Sequence, residues 1–253
     1  MTELIPGAEP WSHVGSGSAG ALVIHGLTSN PASMRGVAEA LAAAGFHIEL
    51  PLLPGHGTVI EDLLNIRWAD WVAELERVFQ ILAARVDKVV VVGLSLGGAL
   101  TLRMGANHPE VAGLVCINPA AQPPAAEVVD MLRGIIDGGT EVLPGIAGDI
   151  ADPDGKESGY DGTPVRAVLS LFTDGLTPLA EAYAGMQLPL LLLNSPQDHV
   201  VEPAQSEFLV ANYGGPIERV SLDRSFHVAT VDYDKDLIFE STVAFARRVT
   251  GSH

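Results

Sequence analysis

The chain has 253 residues, with 14 Lys and Arg against 31 Asp and Glu, which gives a formal net charge of −17. A negative field opposes binding to phosphate backbones and anionic lipid surfaces, so we expect no nucleic-acid partner. Hydrophobic residues make up 47% of the chain and the mean hydropathy is +0.28, which argues against disorder, and the length is within the range of a single domain with one large core. The single Cys116 excludes an internal disulfide framework.

No segment has the pattern of a targeting or membrane-spanning sequence. Residues Met1–Pro6 contain neither the basic region nor the apolar run of a signal peptide. The longest apolar run, near Leu188–Leu193, is far too short to cross a bilayer. We therefore expect a cytoplasmic protein without stable membrane insertion, present as a monomer or a homodimer.

The N-terminal part of the chain alternates predicted strands and helices. Buried strands are expected at Ala21–Ile24 and Phe46–Leu50, and the helix between them should end near Gly45. A turn-rich loop at Leu52–Gly57 then precedes a long helix. The apolar stripe of that helix comprises Trp68, Trp71, Val72, Leu75, Val78, Phe79 and Leu82.

Residues 93–97, Gly-Leu-Ser-Leu-Gly, fit the G-x-S-x-G pattern of a nucleophile elbow. The β-branched residues Val89–Val92 predict a buried strand that runs straight into this pattern, and a helix should begin directly after it. A sharp strand-to-helix turn strains the backbone at Ser95, and Gly93 and Gly97 remove side chains that would clash there. The context favours a nucleophilic Ser95 over a serine that only caps the helix.

The alternation stops between residues 121 and 163. A strand at Leu114–Asn118, which buries Cys116 as a small hydrophobic residue, precedes this stretch. The stretch is rich in Pro, Gly and acidic residues, with a helix only around Ala125–Ile136. Because so long a connection needs a reason, we divide a single domain into a core, residues 1–120 and 164–253, and an insertion, residues 121–163.

Two further strands follow the insertion, at Leu188–Asn194 and Ile217–Leu222, and a helix closes the chain. That helix has its apolar positions at Ile238, Thr242, Phe245 and Val249. Strands that alternate with helices favour an α/β fold, with a mostly parallel sheet covered by helices on both faces.

A serine hydroxyl is a poor nucleophile without a base, and sites of the elbow type supply the acid and then the histidine later in the chain. Asp198 follows the strand that ends at Asn194, and His227 follows the next strand. We therefore predict a catalytic triad of Ser95, Asp198 and His227. Asp198 would orient the imidazole and stabilise its cation.

Two other residues compete for these roles. His199 is an alternative base, but it adjoins Asp198 and precedes the loop where the base is expected. Asp223 is an alternative acid, but it lies close to His227 in sequence. We expect His25 and His56 to be structural, shaping the loops near the site by hydrogen bonds.

Acyl transfer also requires donors for the oxyanion. In an elbow site one donor is the backbone N–H that follows the nucleophile, here that of Leu96. The other comes from the loop after an early strand, which ends here at His25-Gly26 and indicates Leu27. The sequence implies no cofactor and no metal.

Five short motifs carry a resemblance to a known family: residues 25–28 (His-Gly-Leu-Thr), 53–57 (Leu-Pro-Gly-His-Gly), 93–98 (Gly-Leu-Ser-Leu-Gly-Gly), 198–201 (Asp-His-Val-Val) and 227–230 (His-Val-Ala-Thr). Together they resemble the bacterial monoacylglycerol lipase and carboxylesterase branch of the α/β-hydrolases, and the similarity runs from about Gly20 through nearly the whole chain. The resemblance implies the α/β-hydrolase fold, with residues 121–163 as a small cap.

The resemblance also implies a substrate class and two cap residues that contact it. The family's cap carries a glutamate at the glycerol end and an isoleucine lining the glycerol pocket, which correspond here to Glu157 and Ile146. The expected function is that of a serine hydrolase of small, uncharged acyl esters, with monoacylglycerols favoured. A thioesterase, an acyltransferase or a carbon–carbon bond hydrolase would use the same triad, and a non-catalytic binding module is a further alternative because fold does not fix function.

Overall fold

The computed structural model describes residues 3–145 and 148–252. Its strands are β1 Trp11–His13, β2 Ala19–Ile24, β3 His47–Leu50, β4 Lys88–Leu94, β5 Val111–Ile117, β6 Val142–Pro144, β7 Gly162–Pro164, β8 Leu190–Asn194 and β9 Ile217–Ser221. Seven of them form one sheet in the order β1–β3–β2–β4–β5–β8–β9. Among the seven described strands of this sheet, β1 alone runs antiparallel to its neighbour, so the prediction of a mostly parallel sheet is confirmed.

The α-helices are α1 Arg35–Ala43, α2 Trp68–Ala83, α3 Leu96–Asn107, α4 Ala126–Asp137, α5 Val165–Ser170, α6 Thr177–Ala182, α7 Pro203–Asn212 and α8 Lys235–Thr250. A π-helical turn, Leu171–Leu176, joins α5 to α6. Among these described helices, none has the length and apolar character needed to span a bilayer.

Both faces of the sheet are buried. Successive residues of a strand point to opposite faces, so Val89 and Val91 of β4 pack into one core while Val90 and Val92 pack into the other. The first core includes apolar residues of α2 and α3, and the second includes those of α1 and α8. This two-sided burial explains why β4 is an unbroken run of valines rather than an alternating pattern.

The chain between β5 and β8 contains the predicted insertion and more. It comprises α4, a small two-stranded antiparallel sheet formed by β6 and β7, and then α5 and α6. In that sheet Val142 pairs with Pro164 and Pro144 pairs with Gly162. The helix predicted around Ala125–Ile136 is confirmed as α4, whereas the sequence did not predict the small sheet, α5 or α6. The division into a core and a cap stays a prediction.

The parallel strands place their following loops at one edge of the sheet. β2, β4, β5, β8 and β9 all run in the same direction, so the residues after each of them meet there. In α/β sheets this carboxyl edge is where ligands bind.

Candidate active site

Ser95 lies at the turn between β4 and α3, with φ 57° and ψ −115°. A side chain at Gly93 would place its Cβ 2.1 Å from the carbonyl oxygen of Gly97, and one at Gly97 would lie 2.4 Å from the carbonyl oxygen of Ile24. The Ser95 N–H donates to the Ile117 carbonyl at 3.0 Å, which anchors the turn to β5. The turn therefore has the strained backbone and the close packing expected of a nucleophile elbow.

His227 and Asp198 form a buried pair in the loops after β9 and β8. The Nδ1 atom of His227 is 2.8 Å from Oδ2 of Asp198, and only 8% and 2% of the two side chains are exposed. The other carboxylate oxygen, Oδ1, accepts the N–H groups of Val200 and Val201 at 2.9 and 2.8 Å. Because Nδ1 faces a carboxylate and acts as the donor, Nε2 is left as the ring nitrogen able to accept a proton.

Ser95 and His227 line the same cavity, which has a volume of about 330 Å³. Leu27, Leu96 and Glu157 also line it. The apolar part of its wall includes Leu143, Val168, Leu171, Phe172 and Val201. A larger open groove of about 720 Å³ lies beyond Leu143, but neither Ser95 nor His227 lines it. The smaller cavity is therefore the candidate active site, because a few polar groups there face a mostly apolar wall.

The two residues predicted to stabilise an oxyanion both reach this cavity. Leu96 is the first residue of α3, so its N–H lies at the positive end of the helix and has no carbonyl within the helix to bond. Leu27 precedes Thr28, which has a left-handed φ of 62° and donates its hydroxyl to the Leu27 carbonyl at 2.6 Å. The two residues thus lie on different loops at the same cavity, and the use of their N–H groups as oxyanion donors stays a prediction.

Two buried histidines shape the loops next to the cavity. Nδ1 of His25 donates to the Gly26 carbonyl at 2.9 Å, and its Nε2 accepts the N–H of Leu53 at 3.1 Å. Nδ1 of His56 donates to the Pro54 carbonyl at 3.0 Å. Burial lowers the pKa of His25 to about 3, with His56 as a second cause, and burial lowers the pKa of His56 to about 4. Both imidazoles are therefore neutral near pH 7, in agreement with the structural role predicted for them.

The competing residues occupy other positions. The side chain of His199 is 58% exposed, bonds Asp149 at 2.8 Å and is not among the residues that line the cavity. Asp223 accepts the hydroxyl of Ser221, whereas Asp198 is the carboxylate bonded to the His227 ring. Within residues 3–145 and 148–252, no three His, Cys, Asp or Glu side chains converge to form a metal site.

Of the two cap residues expected to contact substrate, the structure describes one. Glu157 is half-buried and lines the cavity, and no hydrogen bond joins its carboxylate to another residue of the described chain. Ile146, the other residue expected at the glycerol pocket, lies outside the described residues.

Asn118, which was not predicted as a site residue, ties the His227 loop to the sheet. It follows β5 with a left-handed φ of 42°, a conformation that asparagine tolerates better than most residues. Its Nδ2 donates to the His227 carbonyl at 2.8 Å and to Ser195 Oγ at 3.0 Å. The sequence does show that Asn118 is a polar residue at the end of a buried apolar strand, which marks it as a candidate for the site. Nothing in the sequence, however, indicates that it contacts His227.

A family model described as "Alpha/beta hydrolase family" matches residues 21–237 of this chain. The chain belongs to the alpha/beta hydrolase family. This hydrolase is 37% identical over 260 residues to the thermostable monoacylglycerol lipase of Bacillus sp. (strain H-257), covering 99% of this chain and all of the relative. It is 22% identical over 237 residues to the carboxylesterase of Bacillus subtilis (strain 168), covering 92% of this chain and 94% of that protein.

Solved structures agree with this assignment. A structure from work on LipS and LipT, two metagenome-derived lipolytic enzymes, superposes with a TM-score of 0.91 at 37% identity and covers 97% of this hydrolase and all of that chain. The Paleococcus ferrophilus monoacylglycerol lipase shares the fold, with a TM-score of 0.76 at 18% identity over 95% of this chain and 99% of that one. The predicted fold and the predicted class, a serine ester hydrolase, are confirmed, while the roles of individual residues stay predictions.

Proposed function

We propose that this hydrolase cleaves carboxylic esters through an acyl-enzyme on Ser95, with His227 as the base and Asp198 as its partner. One observation carries the proposal. A serine on a strained elbow shares a cavity with an imidazole whose Nδ1 is bonded to a buried carboxylate. This combination provides the nucleophile, the base and the group that orients the base.

In the proposed reaction, Nε2 of His227 takes the hydroxyl proton as Ser95 Oγ attacks the ester carbonyl carbon. The N–H groups of Leu27 and Leu96 stabilise the negative oxygen of the tetrahedral intermediate. The intermediate collapses, the bond to the leaving alkoxide breaks, and His227 donates the proton to that alkoxide. Water, activated by the same imidazole, then hydrolyses the acyl-enzyme and restores Ser95.

We propose monoacylglycerols as the substrate class. The 37% identical relative is named a monoacylglycerol lipase, and the cavity combines an apolar wall with the carboxylate of Glu157. The apolar wall suits an acyl chain, and a carboxylate accepts hydrogen bonds from glycerol hydroxyls. Residues 121–163 would act as the cap that brings Glu157 and Ile146 to this end of the substrate. The predicted cytoplasmic location and monomeric or homodimeric state belong to the same proposal.

Replacement of Glu157 tests the substrate class. Glu157→Ala should lower kcat/KM for a monoacylglycerol but spare a nitrophenyl ester of the same acyl chain, because only glycerol offers hydroxyls to the carboxylate. A hydrogen bond to a charged group contributes roughly 1.5–3 kcal/mol, so the selective loss should be about tenfold to hundredfold. Glu157→Gln keeps an acceptor oxygen without the charge and should fall between the wild type and the alanine variant.

Parallel assays on monoacyl-, diacyl- and triacylglycerols complete this test, with Ser95→Ala as the blank. The proposal expects fastest turnover of the monoacyl ester. Equal losses on glycerol and nitrophenyl esters would show general damage to the cap. If kcat/KM of Glu157→Ala equals that of the wild type on both esters, Glu157 does not take part in substrate recognition, and the protein is a general carboxylesterase.

A further inference from the structure

Asp149, in the predicted insertion, contacts both loops that carry the proposed acid and base. Its Oδ2 accepts two backbone N–H groups, that of His199 and that of His227, each at 3.1 Å. Its Oδ1 is 2.8 Å from Nδ1 of His199, and only 10% of its side chain is exposed. One carboxylate oxygen thus bridges the residue after Asp198 and the proposed base itself.

The backbone of His227 is held on both sides. Asp149 accepts its N–H, and Nδ2 of Asn118 donates to its carbonyl at 2.8 Å. The main chain of Asp149 adds a third bond, because its carbonyl accepts the N–H of Val228 at 3.1 Å. These contacts fix the position from which the imidazole extends, whereas the bond to Asp198 fixes only the ring itself.

A second buried carboxylate fastens the same part of the insertion to the His227 loop. Asp232 is fully buried and accepts the N–H of Phe226 at 2.9 Å. It also accepts the N–H groups of Ala151 and Asp152, at 2.8 and 2.9 Å. Because Asp232 holds this segment of the insertion in place independently, replacing Asp149 should not by itself detach the insertion.

We propose that Asp149 is a positioning residue, which sets the placement of His227 relative to Asp198 and Ser95 by accepting the two backbone N–H groups. The inference rests on the proposed function, because it needs His227 to be the base. It gives the insertion a part in the acid–base geometry in addition to any contact with substrate. The effect should therefore appear in kcat and should be the same for every ester.

The magnitude follows from the geometry that proton transfer needs. A misplacement of about 1 Å in a catalytic group costs on the order of 100-fold in rate. Asp149→Ala removes the acceptor for both N–H groups, so we expect kcat to fall about tenfold to hundredfold. KM should stay within about threefold, because the lining of the cavity is unchanged.

Two conservative variants separate hydrogen bonding from charge. Asp149→Asn loses the charge but keeps an amide oxygen that accepts both N–H groups, so kcat should stay within about threefold of the wild type. Asp149→Glu keeps the charge but moves the oxygens by one methylene, and it should lose about tenfold in kcat. The control is His199→Ala, which removes the exposed partner of Asp149 but no backbone N–H, and it should stay within about twofold.

The experiment measures kcat and KM of the full-length variants on a nitrophenyl ester and a monoacylglycerol, with unfolding curves to establish that each is folded under assay conditions. A loss in Asp149→Ala that Asp149→Asn restores, equal on both esters, is the expected result. Equal losses in the Ala and Asn variants would assign the effect to charge and overturn the proposal, as would unchanged kcat or an effect on KM alone. If Asp149→Ala does not fold, the test rests on the two conservative variants. The proposal then requires a higher kcat in Asp149→Asn than in Asp149→Glu, and the reverse order would overturn it.

Failure of this inference is distinguishable from failure of the proposed function. Ser95→Ala is assayed beside the Asp149 variants. An inactive Ser95→Ala with a fully active Asp149→Ala would overturn only the positioning role. An active Ser95→Ala would overturn the proposed function, whatever the Asp149 variants do.

Discussion

Ser95 has a backbone conformation that a serine rarely adopts, at φ 57° and ψ −115°. Strain of this kind costs on the order of 1–3 kcal/mol and persists only where the surroundings enforce it. Here the N–H donates to the Ile117 carbonyl, and the Ser95 carbonyl accepts the N–H groups of Ala99 and Ala120 at 3.1 and 3.2 Å. These three bonds hold the backbone of the elbow in place. The elbow could be predicted from the sequence because the close packing requires glycine at positions 93 and 97, which produces the G-x-S-x-G pattern.

The buried imidazoles of His25 and His56 predict a loss of stability in acid. The pKa values in the folded protein, about 3 for His25 and about 4 for His56, lie below the ordinary value of 6.5. Between the folded and the ordinary pKa, each imidazole is therefore protonated in the unfolded chain but neutral in the folded protein. The free energy of unfolding should therefore fall as pH drops below 6.5, by up to about 1.4 kcal/mol per pH unit for each imidazole. Urea unfolding curves from pH 7.5 to pH 5 measure this slope.

His56→Phe isolates one of the two imidazoles. Phenylalanine keeps a ring in the buried site but binds no proton, and the Pro54 carbonyl keeps its bond from the indole of Trp71 at 3.2 Å. We expect the slope of unfolding free energy against pH to decrease by about one proton, 1.4 kcal/mol per unit, below pH 6. A variant with the wild-type slope would show that His56 does not contribute to acid sensitivity.

At the scale of elements, two anchors hold the last part of the insertion on either side of Glu157. Asp149 and Asp232 bond it to the His227 loop. On the other side Asn30 Nδ2 donates to the Ser158 carbonyl at 2.7 Å, and the Tyr160 N–H donates to the Thr28 carbonyl at 2.9 Å. The insertion is thus bonded both to the loop of the proposed base and to the loop that carries Leu27.

Asn30→Asp should release the second anchor. Aspartate keeps the acceptor for the Ala32 N–H, at 3.0 Å in the wild type, but replaces the donor to Ser158 with a charged oxygen facing a carbonyl. We expect a destabilisation of about 1–3 kcal/mol and faster hydrogen exchange in residues 157–160. Ser158→Ala is the control, because it removes only the hydroxyl contact and keeps the carbonyl. Unchanged exchange in Asn30→Asp would show that this bond does not hold the insertion.

The elements found from the sequence are those with a distinct apolar pattern, either the period of a helix or an unbroken apolar run. The apolar stripe of α2 and the valines of β4 are confirmed, because one has the period of a helix and the other is buried on both faces. The edge strand β1 and helix α7 were missed. Of α7, only Ser206 and Leu209 are buried, so it has no apolar stripe to detect.

At the scale of the whole molecule, the parallel sheet explains why distant residues meet. Leu27, Ser95, Asp198 and His227 follow four different strands, and their loops gather at one edge. These candidates could therefore be predicted from the order in which the motifs and the predicted strands follow one another along the chain. The bonds of Asp149, Asn118 and Asp232 to the His227 loop were not predictable, because they are made to backbone N–H and carbonyl groups, and such bonds leave no pattern of residue types in the sequence.

The most direct measurement of the central claim is to map the serine that a serine-directed phosphonate modifies. We predict a single adduct on Ser95, together with a loss of about 10⁴- to 10⁶-fold in ester hydrolysis by a folded Ser95→Ala variant. Ser29→Ala, which removes another hydroxyl lining the same cavity, should remain active. An adduct on a different serine, or more than about a tenth of wild-type activity in Ser95→Ala, would contradict the proposed mechanism.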